Sequence, residues 1–216
     1  MIFEQIRVDG DRNFGYLIGD ETSRQAAIVD ASYAPERVLE RAERNGLKVK
    51  YVISTHSHPD HIAGNSYVVE RTSAPEVLHE STPHPCSMRV KDNDELTVGN
   101  LKLRFLYTPG HIPDHVCVLV GNKVLTGDIL FVGKIGGTGG PMFPLSDPRQ
   151  QWESLHRLML LDRNIEVWPG HDYGVRPSST IGDEIDTNPF LLTKTYDEFL
   201  HLKEHWAEYK KAHNIA

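Results

Sequence analysis

The segment Thr55-His56-Ser57-His58-Pro59-Asp60-His61 constrains this chain more than any other stretch, because three imidazoles and a carboxylate fall within six positions. The residues from Val49 to Ser54 that lead into it read as a buried strand. Pro59 disfavours helix at His58 and favours it just beyond, so His56 and His58 are expected on extended chain while Asp60 and His61 open a helix. That bend aims four ligands into one small volume. Crowding of this kind has a strong physical reason only where a cation compensates it.

Three further candidates recur in the same local setting, each behind a short apolar strand and beside Gly: Leu106-Tyr107-Thr108-Pro109-Gly110-His111, Val124-Leu125-Thr126-Gly127-Asp128 and Val167-Trp168-Pro169-Gly170-His171. Strands that end in such turns present the next side chain at one rim of a sheet, where sites are usually built. The inventory is then seven ligands. Six give three apiece to two divalent ions, and a carboxylate as the seventh can bridge them, leaving positions for water as a hydrolytic centre needs. Zinc, iron and manganese all accept this donor set, and zinc is put first.

Elsewhere the pattern alternates strands with helices. Phe14–Ile18 and Ala26–Val29 read as a hairpin, and a helix opens at Pro35 and stops at Asn45-Gly46. Two strands flank Gly99-Asn100, and Val116–Val120 and Lys123–Thr126 flank the turn Gly121-Asn122. The Gly-rich run from Gly133 to Pro141 reads as a loop, residues 147–161 as a helix capped by Asp147, and Ile165–Trp168 as a strand. At 216 residues without linker or repeat, one domain is expected, with a helical extension from about residue 188 whose aromatic stripe packs inward.

Composition excludes some classes. The net charge of −7 and the absence of a Lys/Arg run argue against nucleic acid as a partner. Apolar runs fall short of the roughly 18 residues that cross a bilayer, and the N-terminus carries charge where a signal peptide is apolar, so a cytoplasmic protein without a membrane partner is expected. Cys86 and Cys117 form no C-x-x-C pair and read as core residues. His201 and His205 read as a solvated helix face, while His79, His84, His115, His156 and His213 fit no ligand pattern.

Through THSHPDHIAG, TPGH, TGD and WPGH, in that order across nearly the whole chain, the sequence resembles the metallo-β-lactamase superfamily. The resemblance implies an αββα sandwich with metals at one edge. It implies that His56, His58 and His111 hold one ion, that Asp60, His61 and His171 hold the other, and that Asp128 bridges. Within the superfamily the chain is most similar to the glyoxalase II group and the persulfide dioxygenases, through Gly170-His171-Asp172-Tyr173 followed by Asn188-Pro189. Tyr173 matches a tyrosine that contacts glutathione in glyoxalase II. The family's Cys-Gly-Arg/Lys step is replaced by Lys134-Ile135-Gly136-Gly137-Thr138, and 45 residues follow His171 where long glyoxalases add a helical domain.

The expected activity is hydrolysis of a small acidic thioester, such as a glutathione conjugate, by metal-activated water. Asp60 is the proton acceptor, and Lys134 and Tyr173 are the substrate contacts. The alternatives are an Fe(II) persulfide dioxygenase using His56, His111 and Asp128, a lactonase, and a metal-binding protein without turnover. Oligomeric state is left open.

Overall fold

A computed structural model describes residues 1–139 and 143–215 of the chain. The chain begins with an antiparallel meander, β1 (Ile2–Arg7), β2 (Phe14–Gly19) and β3 (Gln25–Val29). It continues through α1 (Pro35–Arg44), β4 (Lys48–Ile53), α2 (Pro59–Ile62), α3 (Asn65–Thr72), β5 (Glu76–His79) and β6 (Met88–Val90). β3 to β6 pair in parallel, so the six strands lie in sequence order in one sheet. The meander β7 (Glu95–Val98), β8 (Leu101–Tyr107), β9 (Val116–Val120) and β10 (Lys123–Gly127) starts a second sheet. A short hairpin, β11 (Leu130–Phe131) and β12 (Lys134–Ile135), and α4 (Pro148–Leu158) lead to β13 (Glu166–Pro169), which lies parallel to β10. β14 (Ser179–Thr180) closes that sheet, and α5 (Ile181–Thr187), α6 (Tyr196–Glu204) and α7 (Trp206–Ala212) follow.

Alternation along the strands builds the layers. In β2 and β3, Tyr16, Ile18, Ala27 and Val29 face the second sheet, meeting Phe105, Val116, Val118 and Leu125. Their neighbours Leu17, Ala26 and Ile28 face outward onto Val38, Leu39 and Ala42 of α1 and Val68 of α3. On the other side Cys117, Val124 and Val167 pack beneath Leu155, Leu158, Ile181 and Phe199. Both faces of both sheets are thus covered, which is why every residue of β2 is buried. The result is the α/β sandwich in four layers, αββα, that the sequence implies.

Several expectations change. β1 was missed: it is a partly buried edge strand with polar Glu4 and Gln5, so no clean alternation marks it. The Gly-rich run is not wholly a loop, since Lys134 and Ile135 pair with Phe131 and Leu130 across a tight turn in which Gly133 takes φ +70°. Its Gly140 and Pro141 lie outside the described residues. Helix does not start at Asn188; that buried side chain donates to Glu184 at the end of α5 and to the Lys134 carbonyl, and helix resumes at Tyr196. The last segment then breaks at His205 into α6 and α7. Cys117 is buried, Cys86 is partly so, and both are free.

Candidate metal centre

The sequence-predicted ligands all reach one rim, because β4, β8, β10 and β13 end there and hand over directly to them. β4 delivers His56 and His58, and Pro59 starts α2 with His58 still extended (ψ 143°), so Asp60 and His61 turn back over the rim as expected. His111, Asp128 and His171 follow the other strands. Close approach explains one of the glycines: a Cβ on Gly170 would stand 2.5 Å from Asp128 Oδ1.

The side chains form overlapping triplets. His56 Nε2 and His111 Nε2 each lie 3.0 Å from His58 Nδ1. Asp60, His61 and His171 form a second triplet, with Asp60 Oδ2 3.3 Å from His171 Nε2 and 3.6 Å from His61 Nε2. Asp128 sits between them: its Oδ1 is 3.3 Å from His61 Nε2, and its Oδ2 is 3.3 Å from His171 Nε2 and 3.7 Å from His111 Nε2. His61 Nε2 and Asp128 Oδ1 are buried yet make no hydrogen bond. Orphaned buried atoms of that kind are costly unless something else satisfies them, and two borderline cations between imidazoles and carboxylates fit this donor set.

Four of the five imidazoles, His58 excepted, are aimed by their other nitrogen. His56 Nδ1 donates to Thr55 Oγ1 (3.1 Å), whose own proton goes to Asp30. His61 Nδ1 donates to Asp30 Oδ2 (2.9 Å), His171 Nδ1 to the Asp11 carbonyl (2.8 Å), and His111 Nδ1 to the Gly137 carbonyl (2.7 Å). These partners keep the outward nitrogens protonated, so that a bound cation would find the lone pairs of the inward ones. Asn13 Nδ2 donates to Asp60 Oδ2 (3.0 Å), and Ser32 Oγ to the Asp60 carbonyl (2.6 Å).

Electrostatics follow from this crowding. Burial pushes the Asp128 carboxyl up, but His61 and His171 outweigh it and hold it well below the usual carboxylate range. For Asp60 burial is likewise outweighed, by the His171 hydrogen bond, His61 and Asn13, leaving the carboxylate ionised at neutral pH. His58 falls to about 4 through burial and the neighbouring His111. Against burial, Asp128 and Asp60 raise His171 to about 9.

Beyond the triplets, sequence reasoning missed the supporting groups. Asp30 directly follows β3 on the same rim as the ligand motifs, a positional signal in the sequence, but Asn13 and Asp11 come from an irregular turn without one. His115, set aside as patternless, is fully buried; its Nε2 accepts from the Asp128 backbone N–H (3.1 Å) and its ring lies 5.2 Å from that of His56. His201 and His205 are exposed and join no ligand group among the described residues.

The predicted substrate contacts flank the cleft. Tyr173 stacks on His171 with ring centroids 4.6 Å apart, and its hydroxyl donates to Asp11 Oδ2 (2.7 Å). Burial and then Asp11 push its phenol well above the ordinary value, so it stays protonated. The cleft at the triplets, about 230 Å³, is lined by Tyr173, Phe131 and Phe143 together with His58, Asp60, His111, Asp128 and His171. Tyr173 also borders an adjoining cavity of about 420 Å³ that contains Lys134 and Arg176. Burial, then Lys210 and Arg12, lower the pKa of Lys134. Among the described residues no helix is long and apolar enough to cross a membrane.

Comparison with known proteins agrees with this geometry. The family described as the metallo-beta-lactamase superfamily matches residues 8–171. The cytoplasmic hydroxyacylglutathione hydrolase of Arabidopsis thaliana is 34% identical, covering 83% of each chain. The mitochondrial persulfide dioxygenase ETHE1 of Mus musculus is 30% identical over 88% of this chain and 76% of its own. The crystal structure of ETHE1 from Myxococcus xanthus superposes with a TM-score of 0.89 at 36% identity, covering 95% of this chain and 91% of the other. The chain spans about half the length (52%) of other curated relatives that it matches at 26% identity.

Proposed function

The chain belongs to the metallo-beta-lactamase superfamily, and from that premise we propose that it is a metal-dependent hydrolase of small acidic thioesters. The observation that carries the reading is the position of Asp128, whose carboxylate reaches both ligand triplets, Oδ1 facing His61 and Oδ2 facing both His171 and His111, at 3.3 to 3.7 Å. A carboxylate so placed suits two ions rather than one. His56, His58 and His111 would hold the first, Asp60, His61 and His171 the second, and Asp128 both. When bound, two divalent cations acidify water and polarise a carbonyl; zinc is the first candidate, with iron or manganese as alternatives.

The chain's own residues supply the rest. Asp60, ionised and oriented by Asn13, accepts the proton released by water. Phe131, beside His171, and Phe143, beside His111, add apolar lining to the cleft. Lys134 and Arg176 line the adjoining cavity, and Arg12 lies over the ring of Tyr173 at its border, in a chain whose net charge is −7, which favours an anionic substrate such as a glutathione conjugate. Tyr173 offers a protonated hydroxyl at the junction. A thiolate leaving group, with an ordinary pKa near 8.5, needs no dedicated acid.

The similarity to ETHE1 proteins supports a second reading, oxygenation of a persulfide at one iron held by His56, His111 and Asp128. One experiment separates them. Cleavage of S-lactoylglutathione at equal rates with and without O₂ is expected for the hydrolase. Oxygen uptake with glutathione persulfide, with one iron per chain and no thioester cleavage, would replace it by the second reading.

A further inference from the structure

Gly137 has no side chain, yet its carbonyl is what holds His111, accepting from Nδ1 at 2.7 Å so that Nε2 points at His58. A run of glycines does not hold itself in one conformation, so the carbonyl must be fixed from outside. The fixing group is Gln151, fully buried in the first turn of α4, whose start is capped by Asp147 accepting from the Arg149 and Gln150 backbone N–H groups. Gln151 Nε2 donates to the Gly136 carbonyl (2.9 Å), and Oε1 accepts from Thr138 Oγ1 (3.1 Å), so one amide grips the chain on both sides of Gly137.

A glutamine amide can be turned over, and a hydroxyl such as Thr138 accepts either end. Two groups accept only one orientation: the Gly136 carbonyl, which can only accept, and Lys203 of α6, whose Nζ donates to Gln151 Oε1 at 2.8 Å. An ammonium has donors and no acceptor, so it forces Oε1 toward itself and Nε2 toward Gly136. Lys203 reaches this point across the aromatic rings of Phe190 and Phe199, with Nζ 6.0 and 5.6 Å from their centroids. Burial alone lowers its pKa to about 8, a cost that a methionine filling the same space would avoid.

We propose that Lys203 is a positioning residue for the metal centre, acting through Gln151 and the Gly136–Thr138 backbone to fix the ring and tautomer of His111. The inference rests on His111 being a metal ligand. It ties the C-terminal helices to the first ligand triplet by hydrogen bonds rather than by packing alone.

The test compares the whole protein with Lys203→Met, which keeps the stem and removes the donor, with Lys203→Arg, and with Leu202→Ala as a packing control on the same helix. Metal is titrated in competition with a chelator, and nitrogen NMR of the histidine rings reads the tautomers in metal-free protein. Lys203→Met should bind one of the two ions about ten- to a hundredfold more weakly, the range for lost partners of metal-binding histidines. It should also show a mixed His111 tautomer, Lys203→Arg should restore much of both, and Leu202→Ala should change neither. If Lys203→Met does not fold, Gln151→Glu, which when ionised beside Lys203 has no donor for Gly136, should give the same selective loss. Two ions bound as in the unaltered protein, with one His111 tautomer, would overturn the inference and leave the metal reading intact. No ion bound by the unaltered protein would overturn both.

Discussion

The two ends of the sandwich are both places where the sheets are tied together, and they are tied in opposite ways. At one end Asp20, in the turn between β2 and β3, accepts from the backbone N–H groups of Thr22, Ser23 and Asn100 and from the Asn100 amide, joining the first sheet to the β7–β8 turn. Its lone pairs are used within the protein. At the other end Asp128 and His61 face each other 3.3 Å apart with buried atoms that no hydrogen bond satisfies. Satisfied polar groups specify structure; a concentration of unsatisfied ones is kept for a ligand. The difference marks one end as scaffold and the other as site.

The largest test of that contrast is Asp128→Ala. It should lose bound metal and reduce turnover by on the order of 10³-fold while circular dichroism stays unchanged. Elemental analysis with kinetics checks this, and near-normal turnover with both ions kept would show that the crowded end does not depend on its bridge. Next in size is Asp30→Asn. The amide keeps one oxygen for the donors that two oxygens now share, and where its hydrogens face His61 Nδ1 they drive that ring toward the tautomer that points its proton inward. The second triplet should lose about ten- to a hundredfold in metal affinity with the first affected less, as chelator competition would measure.

Asn13→Ala should act more mildly, lowering kcat by about tenfold through a less constrained Asp60, with no change in melting temperature beyond about 1 kcal/mol of stability. A larger loss of stability than of rate would move Asn13 to the scaffold side. The smallest effect on activity belongs to Asp20→Ala, expected to lower melting temperature and leave kcat per folded molecule untouched. Backbone hydrogen bonding, first from Asn100, lowers the Asp20 carboxyl from 3.8 to about 2. A folded-state pKa below the unfolded one contributes stability that is complete above pH 3.8 and lost as pH falls toward about 2. The melting difference between the two proteins should therefore vanish over that window. If it persisted unchanged at pH 2, the carboxylate would not be what joins the turns.

What could be read from the sequence was local. The candidate ligands His56, His58, Asp60, His61, His111, Asp128 and His171 all stand close behind short apolar strands, with a Pro or Gly turn just before Asp60, His111, Asp128 and His171, and such signals need only neighbouring residues to be interpreted. The four-layer architecture came with the resemblance, and the strands with clear apolar patterns were found. Tertiary structure decided what depends on residues distant in sequence. β1 and the short β14 are strands because a neighbour pairs with them, and Asn188 ends α5 rather than opening a helix because Lys134 and Glu184 meet it there. The groups that orient the ligands, Asn13 for Asp60, Asp30 for His61, Asp11 for His171 and Gln151 with Lys203 for His111, are single side chains or carbonyls brought together by folding. A hydrogen bond between positions far apart in the chain leaves no period and no spacing in the sequence. Only the close packing of both sheets and their helices fixes which donor finds which acceptor.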